Sequence, residues 1–126
     1  MTKAPKSLQN WFVLHFVLDI IFAIPLIFVP EIILPMFGWE YVDPITTRLV
    51  GAALFAIGTE SLLSRKSDLS AFKELLNLKI LWASAAIVGI SLGLYMGAPV
   101  AAWAFLGVFI AFLFVWGYYR VKYFKI

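Results

Sequence analysis

The sequence predicts an all-α integral membrane protein, a bundle of four transmembrane helices with both termini on the cytoplasmic side. Three observations lead there. Of the 126 residues, 63% are hydrophobic and only 13% charged, against about half and about a quarter in an ordinary soluble domain. The apolar residues fall into four long stretches, each close to the roughly 20 residues that a helix needs to cross a bilayer core. The lysines and arginines gather at alternate ends of those stretches. A chain this short makes one domain, residues 1–126, and cannot bury so much apolar surface in water. In lipid that surface needs no burial.

The first span is read as Trp11–Val29. It holds Pro25, and every other residue except His15 and Asp19 is apolar or aromatic. It is longer than a signal-peptide core, carries Asp19 and lacks an Ala-x-Ala-like site after it, so it is expected to stay with the chain. Residues 30–44 connect it to the second span. They are apolar but interrupted by Pro35 and Gly38, the pattern of an interfacial or re-entrant segment. The second span runs from about Ile45 to Leu63 and the third from about Leu75 to Met96, joined by the polar stretch 64–74. The fourth runs from about Val100 to Tyr119. Gly97, Ala98 and Pro99 are almost all that separates it from the third, which predicts a tight helical hairpin.

Direction follows from charge. Lys3 and Lys6 precede the first span, Arg65, Lys66 and Lys73 lie in the second connector, and Arg120, Lys122 and Lys125 follow the fourth. An even number of spans puts all of them on one side, opposite Glu31, Glu40 and Asp43. The positive-inside rule makes that side cytoplasmic, with the plasma membrane as the expected location. Trp11, Trp116, Tyr118, Tyr119 and Tyr123 fall at the inner interface, and Trp39, Tyr41, Tyr95 and Trp103 at the outer one.

Composition narrows the chemistry. With no cysteine and one histidine, thiolate catalysis, iron–sulfur clusters and a histidine-rich zinc site are excluded, and no metal or cofactor is expected. The net charge of +3 comes from membrane-flanking residues, so nucleic acid is not an expected partner. Membrane lipids are. There is no phosphate loop and no nucleophile–base–acid set, so no catalytic residue is assigned.

What remains is a set of ionisable groups inside the spans, costly to bury unless paired or wetted. At 1.5 Å per residue, His15 lies roughly 6 Å and Asp19 roughly 12 Å above the inner boundary. Glu60 lies roughly 5 Å and Lys79 roughly 6 Å above it by the same measure. His15 and Asp19 share one helical stripe. Glu60 is expected to share a face with Ala56, Ala53 and Leu49, and Lys79 with Ala86 and Gly93, small residues that let membrane helices approach. The expectation is a polar pocket of His15, Asp19, Glu60 and Lys79 that holds the polar head of an amphipathic, lipid-like or amine-bearing small molecule, with Asp19 and Glu60 as acidic anchors. The bland reading of the same residues is a Glu60–Lys79 ion pair and a His15–Asp19 hydrogen bond. Arg48 is read as structural, paired with Glu31 or Asp43. Ala85, Gly89 and Gly93 form a small-residue stripe suited to helix packing.

Two rival functions use these residues. A proton-coupled transporter or channel would work as a homo-oligomer with Asp19 or Glu60 as its proton carrier. An accessory subunit of a membrane complex would use them for stability only.

Thr47-Arg48-Leu49-Val50-Gly51, continuing to Gly58, together with a first span that ends in prolines before an apolar segment containing Gly38, resembles the DoxX-like group of small four-helix membrane proteins. The resemblance implies the four-helix layout and carries Arg48, Gly51 and Gly58 as its motif. A more distant likeness is to the EXPERA group, which includes sterol isomerases. Asp19 and Glu60 are similar in kind to the cavity carboxylates with which that group binds amine-bearing or sterol-like ligands. Isomerase-like chemistry is what that likeness would imply, and no catalytic role transfers to a particular residue here.

Overall fold

The computed structural model describes residues 2–124, so Lys125 of the basic tail lies outside the described residues. Every element is an α-helix: α1 (Lys6–Phe28), α2 (Pro30–Met36), α3 (Pro44–Ser64), α4 (Leu69–Tyr95) and α5 (Ala101–Tyr123). α1, α4 and α5 are each long and apolar enough to cross a membrane, the signature of a multi-pass membrane protein in contact with lipid. α3 is 21 residues long, but Arg48, Glu60 and several hydroxyl residues dilute its apolar character. The helices form two compact units, residues 3–67 with α1 to α3, and residues 68–124 with α4 and α5.

The ends of the elements follow from local chemistry. α1 begins at Lys6, five residues before the expected apolar span. It passes through Pro25, whose missing N–H removes one bond of the ladder, and Val29 N–H still reaches the Pro25 carbonyl at 2.8 Å. Pro30 then ends α1, because it has no N–H to offer the preceding turn. The same ring suits the first position of α2. The expected interfacial segment is therefore a seven-residue helix.

α2 and α4 stop in the same way. Gly38 and Gly97 have φ of 101° and 97°, the left-handed region that glycine enters without a Cβ penalty. Gly38 N–H bonds the Pro35 carbonyl at 3.0 Å and Trp39 N–H bonds Leu34 at 3.1 Å. Gly97 N–H bonds Leu94 at 3.1 Å and Ala98 N–H bonds Gly93 at 2.9 Å. Both are Schellman motifs, which satisfy the last carbonyls of a helix from just beyond its end. At the start of α3, the Asp43 carboxylate accepts from Ile45 N–H at 3.0 Å, with Pro44 at the first helical position. α4 starts at Leu69 rather than about residue 75, directly after Asp68 at its N-cap, so much of the expected polar connector is helical.

In the first unit α1 and α3 run antiparallel. α1 buries Leu8, Phe12, His15, Asp19, Ala23 and Leu26, spaced three and four residues apart along one stripe. α3 buries Gly51, Leu54, Gly58, Ser61 and Ser64. Large side chains of one helix meet small ones of the other, which brings the two backbones close. In the second unit α4 buries Phe72, Leu76, Lys79 and Ala83, and α5 buries Ala102, Leu106, Phe112, Trp116 and Tyr119. α4 and α5 are also antiparallel. Trp82 packs edge-on against Phe109 with ring centroids 5.9 Å apart, and nearer the other end Asn77 meets Arg120.

Candidate functional site

The α1–α3 interface is most intimate at Gly58. A Cβ placed there would lie 2.6 Å from the Asp19 Cβ, well inside contact distance. At Gly51 it would lie 2.8 Å from Ile27 and 3.2 Å from the Ala23 carbonyl oxygen. These two glycines are therefore the points where α1 lies against the backbone of α3.

Around Gly58 sits a buried polar cluster. His15 is 3% exposed and Asp19 8%. One turn apart on α1, they approach to 3.3 Å between His15 Nε2 and Asp19 Oδ2. On the other side of the ring, His15 Nδ1 is 3.2 Å from Ser61 Oγ of α3. The Ser61 hydroxyl donates to the Ile57 carbonyl at 3.0 Å, as serines in membrane helices commonly do to the preceding turn. A hydroxyl has one proton, so with that proton on Ile57 the Ser61 oxygen accepts from His15 Nδ1–H. Nε2 on the other side of the ring faces the Asp19 carboxylate across 3.3 Å. The cluster is a chain of hydroxyl, imidazole and carboxylate across two helices.

Ser61 has no prominence in the sequence, where it is one hydroxyl among several. Its signal was its spacing: Gly51, Gly58 and Ser61 recur at seven and three residues, one face of a helix.

Glu60 does not join this cluster. Glu60 is exposed, and so are Ala56 and Leu49, which were expected to share a packed face with it. Gly58 and Ser61 allow a closer approach than the alanine stripe does, so α3 turns that side to α1 instead. Lys79 belongs to the second unit. It is 3% exposed, and its Nζ stands 4.9 Å from the centre of the Trp116 ring, a cation–π arrangement that desolvation strengthens. Trp116, expected as an interfacial belt residue, is almost fully buried and stacks on Phe112 with centroids 5.4 Å apart.

Arg48 has a structural position. Its Nε donates to the Ile27 carbonyl at 2.9 Å and its Nη1 to the Pro44 carbonyl at 3.2 Å. Ile27 lies in the last turn of α1, where carbonyls lack a helical partner and the helix dipole favours a cation. Arg48 thus caps α1 from α3. Its ion pair with Glu31 is looser, 3.5 Å between partly exposed groups. Asp43, the other expected partner, is engaged at the N-terminus of α3, where bonds from Ile45 and Thr46 hold its carboxyl below the usual carboxylate range.

No protein-family model matches the chain, and neither does any curated protein or solved structure.

Proposed function

We propose that this protein crosses the plasma membrane four times, with α3 as the second span and both termini cytoplasmic, and binds an amphipathic small molecule between its helices at the His15–Asp19 cluster. One observation carries the reading: a histidine and a carboxylate lie buried and 3.3 Å apart in the otherwise apolar stretch of α1. Burial of such groups in lipid is expensive, and in membrane proteins they usually serve a ligand, ion or proton. An amine-bearing head would pair with the Asp19 carboxylate, and the apolar side chains of the spans would hold the body. Glu60 and Lys79 are not needed as anchors in this form of the reading. The four-span count is supported by the length of α3, about 31 Å at 1.5 Å per residue, and by the basic residues that an even count collects on one side.

The test is native mass spectrometry of the protein extracted in mild detergent, beside Asp19→Asn. A discrete small molecule retained by wild type and lost from the variant is the expected result. Bare protein in both samples would refute the reading.

The hydroxyl–imidazole–carboxylate chain favours a second reading, a proton carrier in a transporter or channel. It predicts a gradient-driven proton flux in liposomes that Asp19→Asn abolishes. Flux without a retained small molecule would decide for it.

A further inference from the structure

α3 carries one charged group that neither reading uses. Positions on a helix advance by about 100° per residue. Counted from Glu60, Ala53 lies at about 20°, and Ala56 and Leu49 at about 40° and 20° on the other side. Gly51 and Gly58, which pack on α1, lie at about 180° and 160°. The Glu60 face is therefore turned directly away from α1. Glu60, Ala56 and Leu49 are exposed and Ala53 is partly buried, and Leu63, a turn further on, is 71% exposed.

Nothing in the chain answers the charge. The Glu60 carboxylate has no hydrogen-bond or ion-pair partner among the described residues. Arg65, the nearest basic residue in sequence, lies about 140° round the helix and donates to the Leu62 carbonyl instead. Nor does the side chain lean toward water. Ser64 is the last residue of α3, and Glu60 lies about 6 Å before it along the axis. Cα–Cβ bonds in a helix tilt toward its N-terminus, so this carboxylate leans toward the middle of the helix and away from its near end. The C-terminal end of a helix also disfavours negative charge. With α3 as a span, the reading proposed above on which this inference rests, the group meets lipid without the pairing or water that such groups need.

We propose that this face of α3 docks a transmembrane helix of another membrane protein, one that carries a lysine or arginine at the depth of Glu60. Charge selects that occupant. Lipid tails offer no cation. A second copy of this chain, docked symmetrically through the same face, would set Glu60 against the same residue of the copy, two like charges. A cationic side chain answers both the carboxylate and the helix end. Ala53 and Ala56 leave room for the close approach on which helix association in membranes depends.

The experiment reconstitutes the full chain in liposomes with a synthetic leucine–alanine transmembrane peptide that carries one lysine about 6 Å inside one end. The chain has no cysteine of its own, so Ser70→Cys takes a dye, and energy transfer to the peptide reads association. The lysine peptide should associate, and the same peptide with leucine or glutamate in that place should not. Glu60→Gln should weaken association roughly ten-fold, the measure of one polar contact between membrane helices. Ala56→Leu, which adds bulk without altering charge, should weaken it too, and Glu74→Gln on α4 should leave it unchanged. Equal association of the lysine and leucine peptides would overturn the proposal, as would full retention by Glu60→Gln. Energy transfer between copies of the chain that Glu60→Gln abolishes would assign the face to a second copy and overturn it as well. A chain carrying Ala56→Cys alone separates this proposal from the four-span reading. A membrane-impermeant maleimide should not reach that cysteine in intact liposomes. Rapid labelling would take α3 out of the bilayer and overturn both, whereas protection without association would overturn the docking face alone.

Discussion

Replacing Gly58 with alanine adds one methyl group at the tightest point of the α1–α3 interface. The new carbon would stand 2.6 Å from the Asp19 Cβ and 3.2 Å from Asp19 Oδ2. The Cβ is fixed to its backbone and cannot swing aside, so the helices must separate by more than 1 Å to reach ordinary carbon–carbon contact at about 3.8 Å. Overpacking of this kind costs about 1–3 kcal/mol. The same movement stretches the 3.2 Å contact between His15 and Ser61 beyond hydrogen-bonding distance, a loss of about 1 kcal/mol. Alanine recovers up to about 1 kcal/mol of helix propensity. The net expectation is a destabilisation of about 2 kcal/mol, or roughly thirty-fold in the unfolding equilibrium. Reversible unfolding in mixed micelles, followed by far-UV circular dichroism, measures it. Gly89→Ala is the control: nothing lies within 4 Å of a Cβ there, so it should be neutral or stabilising. Asp19→Gly combined with Gly58→Ala should cost less than the two changes taken separately, because the colliding atom is gone. If Gly58→Ala unfolds no more readily than wild type, or tracks Gly89→Ala, the interface is not packed as described.

Arg48→Gln should cost about 1 kcal/mol in the same unfolding assay, through loss of the cap on Ile27, whereas Glu31→Gln should stay within about 0.5 kcal/mol because its ion pair is exposed; equal effects would mean that the ion pair matters as much as the cap. Asp43 has a carboxyl pKa below its usual value, so its contribution is fully present above the ordinary carboxylate pKa and is lost as pH falls through the lowered one. The difference in melting temperature between wild type and Asp43→Asn should therefore shrink as pH is lowered from 7 toward 3, and a gap that widens would contradict the cap. His15 is the only histidine, so nitrogen-15 spectra of histidine-labelled protein report on the cluster alone. Ser61→Ala should shift the Nδ1 resonance and Asp19→Asn the Nε2 resonance, and indifference of both to both changes would show that the cluster does not form.

The helical class and the α4–α5 hairpin were legible from apolar runs and one short connector, because segments this apolar can satisfy their backbones in lipid only as helices. His15 and Asp19 could be paired from sequence, since four residues on one helix fixes their proximity. Their partner on α3 could not. Ala53, Ala56 and Glu60 form as regular a stripe as Gly51, Gly58 and Ser61, and only the approach distance of two backbones separates them. Glu60 lies exposed on α3 for that reason. For Arg48, charge alone suggests Glu31 or Asp43 as its object. A carbonyl orphaned by the end of α1 becomes visible only when Ile27 and Arg48 are set side by side.

The turn between α4 and α5 has a bearing on how the protein enters a bilayer during synthesis. Met96, Gly97 and Ala98 have their N–H groups bonded to carbonyls of α4, Pro99 has none, and no residue from 96 to 100 is charged. A connector that must be pushed through hydrocarbon is held back by its unsatisfied backbone groups and its charges, and this one brings few of either. α4 and α5 are thus suited to partition as a closed pair, at once and without a dedicated translocation step. In the proposed four-span arrangement the segment ahead of α3 is different in kind: Glu31, Glu40 and Asp43 would be moved across as charges, so the halves of the chain would place unequal demands on the insertion machinery.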